Sequence, residues 1–186
     1  MNTTTDVRID ESVLREIMAT LAAGVAFVTT VGADERPQGL TTTAVTSVSL
    51  DPPLLLVCVA RESRTLTAIR TRGGFCVNLL DAGYEALALE FASKAEDKFA
   101  RIDWDLSPGG LPILEAHSLA WAECTLEQEI EAGDHLILLG HVREGFSEGT
   151  GRHPLMYFRR EFGSWAAAVR AVEENGGGFA SVRTDG

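Results

Sequence analysis

At 186 residues, 45% apolar and 23% charged, the chain is long enough to bury a core without disulfide or metal staples and short enough to be one domain. Its formal charge of −11 at pH 7 repels phosphate backbones and anionic lipid, which sets nucleic acid and membranes aside as partners and accounts for solubility. Cys58, Cys76 and Cys124 lie far apart in apolar runs without CxxC spacing, so they read as buried free thiols rather than a disulfide frame or a zinc site.

Residues 1–8 are polar and expected to be loose. They show no basic stretch followed by an apolar core, and no later run reaches the roughly 18 apolar residues of a membrane helix, so a cytoplasmic protein is expected. From Asp10 to Leu21 the positions Val13, Leu14, Ile17, Met18 and Leu21 recur at helical spacing, with Asp10 or Ser12 as cap and Gly24 as terminator. Val25–Val31 is β-branched and predicts a strand; 32–37 is a turn. Gln38–Leu50, dense in Thr, Val and Ser, predicts one long strand, which Asp51-Pro52-Pro53 breaks.

Leu54–Val59 predicts a buried strand, Ser63–Arg70 a short helix capped by Ser63, Phe75–Leu80 a strand, and Tyr84–Phe91 a helix. Residues 107–112 form a loop. Leu119–Ile130 alternates, with Cys124, Leu126 and Ile130 on one face and Glu123, Thr125, Glu127 and Glu129 on the other. Ala132-Gly133-Asp134 is a turn, His135–Val142 a strand, and Pro154–Phe158 a shorter one. Glu173–Gly186 is polar and Gly-rich, so a disordered end is expected within an extension spanning 166–186. Roughly seven strands with a few helices is the grammar of a mainly β, Greek-key-like antiparallel barrel, not of a doubly wound sheet. There is no GxGxxG after the first strand and no GxxxxGK[ST], so any nucleotide phosphate must be held another way.

Four segments stand out chemically. Arg61–Arg72 carries four arginines against one glutamate, with Ser63 and Thr65 at its predicted helix start. Free N–H groups, hydroxyls and a guanidinium there make a phosphate seat; the plainer alternative is a capped helix with solvated arginines. Gly39–Ser49 is rich in small hydroxyl side chains that let a flat ligand approach the backbone, or else is a half-exposed Thr face. His135 follows a Gly-Asp turn and is placed to contact a substrate, though a lone His at a strand start is commonly structural. Lys94 and Lys98 lie in Phe91–Phe99 and either reach a phosphate or are solvated. Glu127, Glu129 and Glu131 read as an exposed acidic stripe. The histidines show no ligand spacing, so no metal is proposed.

Taken in order, Met18–Val25, Gly39–Thr41 through Ser49–Pro53, Ser63–Leu66, Phe75–Leu80, Phe91-Ala92, Lys98-Phe99, Gly110–Pro112 and Ala132–His135 resemble the flavin reductase-like family with the FMN-binding split-barrel fold. That family includes the short-chain reductase components of two-component monooxygenases. The resemblance implies a split β-barrel domain over 9–165. It implies an NAD(P)H:flavin oxidoreductase that uses FMN or FAD with NADH or NADPH and forms a homodimer. Reduced, diffusible flavin would pass to a partner monooxygenase. It implies flavin contacts at Thr41, Thr42, Thr43, Ala44, Val45, Ser47 and Val48, phosphate-side contacts at Ser63, Arg64, Thr65 and Leu66, and further contacts at Phe91, Ala92 and Lys98. His135 would meet the nicotinamide, with Phe158 and Arg159 of the terminal strand Phe158–Gly163 nearby. The alternative on the same fold is a non-enzymatic flavin-binding electron carrier.

Overall fold

The computed structural model describes residues 9–149, 151–166 and 170. The loose start expected at 1–8 and nearly all of the 166–186 extension lie outside the described residues. The chain runs α1 (Glu11–Ala19), β1 (Ala23–Gly24), β2 (Ala26–Val31), β3 (Pro37–Thr42), β4 (Val45–Leu50), β5 (Pro53–Ala60), α2 (Arg64–Arg72) and β6 (Gly74–Leu80). It continues through α3 (Glu85–Ala92), β7 (Asp105–Leu106), β8 (Pro112–Ile113), β9 (Ser118–Ala132), β10 (His135–Ser147), β11 (Leu155–Phe158) and β12 (Glu161–Ser164).

The main sheet has seven antiparallel strands in the order β3-β2-β6-β9-β10-β5-β4. Its two edge strands, β3 and β4, are consecutive in the chain, joined only through Thr43 and Ala44. The sheet must therefore curl until its edges nearly meet, which is a split barrel. The predicted single strand over 38–50 is thus two strands. At the break the Ala44 N–H donates to Thr42 Oγ1 at 3.0 Å and the Ala44 carbonyl accepts from the Cys58 N–H at 3.1 Å.

β2 is buried along its whole length, so both of its faces pack against other elements. Val28 faces the barrel interior with Val57, Phe75 and Leu138; Leu66 and Ile69 of α2 join the same cluster. Phe27 faces a second cluster with Phe91, Phe99, Leu114 and Leu155, and its ring stacks on Phe91 at 4.2 Å. α2 ends at Gly73, whose φ of 74° suits a residue without Cβ.

Two further expectations change. The β9 face that carries Glu123 is covered at that point: the Glu123 carboxylate is buried and accepts from the Gly109 N–H at 2.8 Å. Phe158–Gly163 is not one strand but a hairpin, with Arg159 and Arg160 at φ 50° and 67° in its turn. The Arg159 N–H donates to the Ala19 carbonyl at 2.7 Å and so ties that turn to α1. α1 is capped as expected by Asp10, which accepts from the Ser12 N–H at 2.7 Å. None of its residues is buried.

Candidate active site

Before β4 begins, β3 faces the end of β5 across the split, and a cleft of about 790 Å³ opens there. One wall is Pro37–Thr42. The other is Cys58–Ala60 with the start of α2. The C-terminal end of α3 and the segment after it close a third side, and His135 stands at the rim.

The α2 wall is a donor surface. Ser63 holds the N-cap position, yet its hydroxyl makes no capping bond. Among the described residues the N–H groups of Arg64 and Thr65 have no acceptor, as the first turn of a helix dictates. The basic stretch is sorted by its partners. Arg70 is bidentate with Glu129 and Arg61 pairs with Glu131, so the predicted acidic stripe neutralises two of the four arginines. Arg72 donates to the Gly109 carbonyl at 2.9 Å. Arg64 alone of the four lines the cleft. Its Nη2 donates to the carbonyls of Lys94 at 3.2 Å and Ala95 at 2.8 Å, while its Nε and Nη1 have no protein acceptor among the described residues.

His135 is placed by its hairpin. Gly133, at φ 63°, and Asp134 form a two-residue turn between β9 and β10. The Arg61 N–H donates to the Asp134 carbonyl at 3.0 Å and Arg61 Nε to the Gly133 carbonyl at 2.7 Å. This lashes the turn to the chain just before α2 and sets His135 beside Ala60. His135 Nδ1 lies 2.8 Å from Asp134 Oδ1, and that contact holds the Asp134 carboxyl below its ordinary range. With Nδ1 so engaged, Nε2 is the nitrogen left to meet a ligand.

Lys98 is a strut. Its Nζ donates to the Phe91 carbonyl at 2.6 Å and the Gly39 carbonyl at 3.1 Å, which joins α3 to β3. Burial, and then the Arg64 charge, push its ammonium below the usual range.

Of the sequence-predicted residues, the cleft gathers Thr41, Thr42, Ser63, Arg64, Thr65, Phe91, Ala92, Lys98 and His135. Thr43 and Ala44 form the β3–β4 break and Val45, Ser47 and Val48 lie beyond it in β4; all five are outside the lining. Leu66 is packed in the core. Phe158 and Arg159 sit at the β11–β12 turn, with the Arg159 guanidinium over the Phe158 ring at 5.3 Å. Phe91 is wholly buried, with its ring stacked on Phe27 and its carbonyl taken by Lys98, so it backs the cleft wall rather than offering a contact. Sequence reasoning missed Gln38, Ala60 and Ser93, which have no distinguishing chemistry. It also missed Cys58, expected buried but half-buried on the cleft wall. Cys76 and Cys124 are buried as expected, and burial pushes both thiols up to about 12.

The arrangement suits a planar ligand carrying a phosphate. Backbone and small hydroxyls face a flat ring, unpaired N–H donors and a guanidinium face an anion, and an oriented imidazole stands at the entrance. The family model described as "Flavin reductase like domain" matches residues 18–166. The chain is 43% identical to a protein named flavin reductase (NADH) from Kitasatospora aureofaciens, over 84% of this chain and 83% of that one. It is 37% identical to the flavin-dependent monooxygenase reductase subunit HsaB of Mycobacterium tuberculosis, over 83% of this chain and 82% of the relative. A solved NADH:FAD oxidoreductase of Streptomyces globisporus, in complex with NAD and FAD fragments, superposes with a TM-score of 0.77 at 30% identity, covering 96% of this chain and 99% of that one.

Proposed function

Since this chain belongs to the flavin reductase-like family, we propose that it transfers a hydride from NADH or NADPH to FMN or FAD and supplies the reduced flavin to a partner monooxygenase. The carrying observation is that one cleft unites the Thr41-Thr42 strand, the donor-rich start of α2 and His135. The flavin supplies a ring that accepts the hydride, with the accompanying proton drawn from solvent. The chain's own residues bind and orient. Ser63 Oγ, the N–H groups of Arg64 and Thr65, and the Arg64 guanidinium seat the phosphate. The β3 backbone near Thr41 and Thr42 meets the ring, and His135 Nε2 holds the nicotinamide in register, since hydride transfer depends on proximity more than on an acid or base. A helix-end seat of this kind is moderate in strength, which suits a flavin that must leave.

A homodimer is part of the proposal, supported by the apolar face of α1. Ile17 is 53% and Leu21 59% exposed, alongside Val13, Leu14 and Met18, a stripe one subunit leaves uncovered. A second copy would also bring the Phe158–Arg159 turn, tied to α1, toward the interface. No described helix is long and apolar enough to cross a membrane, and a reaction fed by pyridine nucleotide fits the cytoplasm. The test is nicotinamide oxidation, measured for each flavin with each pyridine nucleotide. Oxidation above the flavin-free blank is expected. No oxidation in any combination overturns the enzyme reading and leaves the carrier.

A further inference from the structure

Resting on the reductase reading above, we infer that a second lobe of the cleft takes the adenosine end of a dinucleotide flavin, so that the chain binds FAD in preference to FMN. Beside the main cleft lies a concavity of about 450 Å³, bordered by Arg36, Gln38, Arg64, Glu96, Phe99 and Trp104. Gln38, Arg64, Glu96 and Phe99 line both spaces, so the two adjoin across a shared wall. The main cleft alone is within the range of about 300–1,000 Å³ usual for small-ligand sites, so the extension is extra room.

Arg64 marks the junction. Among the described residues it is the only cation lining both lobes, and its Nε and Nη1 have no protein acceptor there. A phosphate seated there has the isoalloxazine on one side. What continues past it on the other is, in FAD, a second phosphate and adenosine. Trp104 lies in that direction, 36% exposed. It is braced edge-on against buried Phe99, with centroids 6.0 Å apart and planes at 81°. A braced, half-exposed indole is a stacking platform for a base.

The polar rim fits a neutral nucleoside better than a third phosphate. Asp34 Oδ1 accepts from the Arg36 N–H at 3.3 Å and Asp97 Oδ1 from the Phe99 N–H at 3.2 Å. The exposed Glu96 carboxylate has no protein donor among the described residues and is placed to accept from ribose hydroxyls or the adenine amino group. His135 lines the main cleft and not the second lobe. A pyridine nucleotide held at His135 therefore enters from the far end, and its own adenosine has no call on Trp104.

The experiment is calorimetric binding of oxidised FAD and of FMN to the full chain and to Trp104→Ala, Trp104→Phe and Glu96→Gln, with the KM for NADH measured alongside. FAD is expected to bind more tightly than FMN. Trp104→Ala weakens FAD about tenfold, equivalent to about 1.4 kcal/mol, and FMN by less than about twofold. Trp104→Phe keeps most of the FAD affinity. Glu96→Gln, on an exposed segment that tolerates change, weakens FAD alone. Equal affinity for the two flavins, or equal weakening of both in Trp104→Ala and Glu96→Gln, overturns the inference. So does a rise confined to the KM for NADH, which would give the lobe to the pyridine nucleotide. Turnover of FMN by the unaltered chain in any of these cases leaves the reductase reading standing.

Discussion

Arg64 Nη2 donates to the carbonyl of Ala95 at 2.8 Å, so the guanidinium at the start of α2 also clamps the segment after α3 against the cleft. A lysine keeps the charge but not the planar fork, and cannot hold Ala95 and a phosphate together. Arg64→Lys is expected to raise the KM for flavin about tenfold while leaving kcat at saturating flavin within about twofold, since the seat acts in binding rather than in hydride transfer. Arg64→Gln should go further in the same direction. Steady-state kinetics over a flavin titration check both.

His135→Ala should raise the KM for the pyridine nucleotide about tenfold with flavin affinity unchanged, because the imidazole stands at the rim and not at the seat. Asp134→Ala frees the ring held through Nδ1 and should give a smaller rise of the same kind. Flavin titration and pyridine-nucleotide kinetics on the same preparations separate the two sites. Loss of flavin binding in His135→Ala contradicts the role given to His135.

Much of this was legible in the residues themselves. Asp10 and the spacing from Val13 to Leu21 gave α1, Asp51-Pro52-Pro53 marked the β4–β5 turn, and Gly133-Asp134 gave the hairpin that presents His135. The break after Thr42 was not legible. Strand-forming residues run through it, and it exists because the curled sheet ends there, a property of topology rather than of local preference. Glu123 keeps its place in the alternating pattern, but the loop that carries Gly109 folds over that face and buries it. Arg159 and Arg160 carry no sign of positive φ; the pairing of β11 with β12 imposes it. The same holds for the cleft: Ser63, Arg64 and His135 have chemistry that stands out, whereas Gln38, Ala60 and Cys58 line it only because β3 and β5 face each other across the split.

His117 gives a pH dependence of stability. Its ring packs edge-on to Tyr84 at 4.7 Å, and burial holds its imidazole below the ordinary value of 6.5, with Asp103 opposing and Arg152 reinforcing the shift. The unfolded chain therefore takes up this proton first as pH falls. The contribution is complete above about 6.5 and is lost on acidification toward the folded value. The melting temperature should drop between about pH 7.5 and about pH 5.5, and His117→Phe should flatten that part of the curve. Thermal melts across this window check it.

The exposed stripe on α1 predicts the oligomeric state. The unaltered chain should sediment as a dimer, and Leu14→Glu combined with Ile17→Glu should shift it to monomer, since charges cannot be left unpaired in a buried apolar contact. A dimer unchanged by the pair of substitutions would place the interface elsewhere.

The most direct measurement is a crystal structure of the chain with oxidised flavin bound. The phosphate is predicted to accept from the N–H groups of Arg64 and Thr65, with the ring against Thr41 and Thr42 and its open face toward His135. Flavin bound away from the cleft between β3 and the end of β5, touching neither Thr42 nor Ser63, would contradict the account.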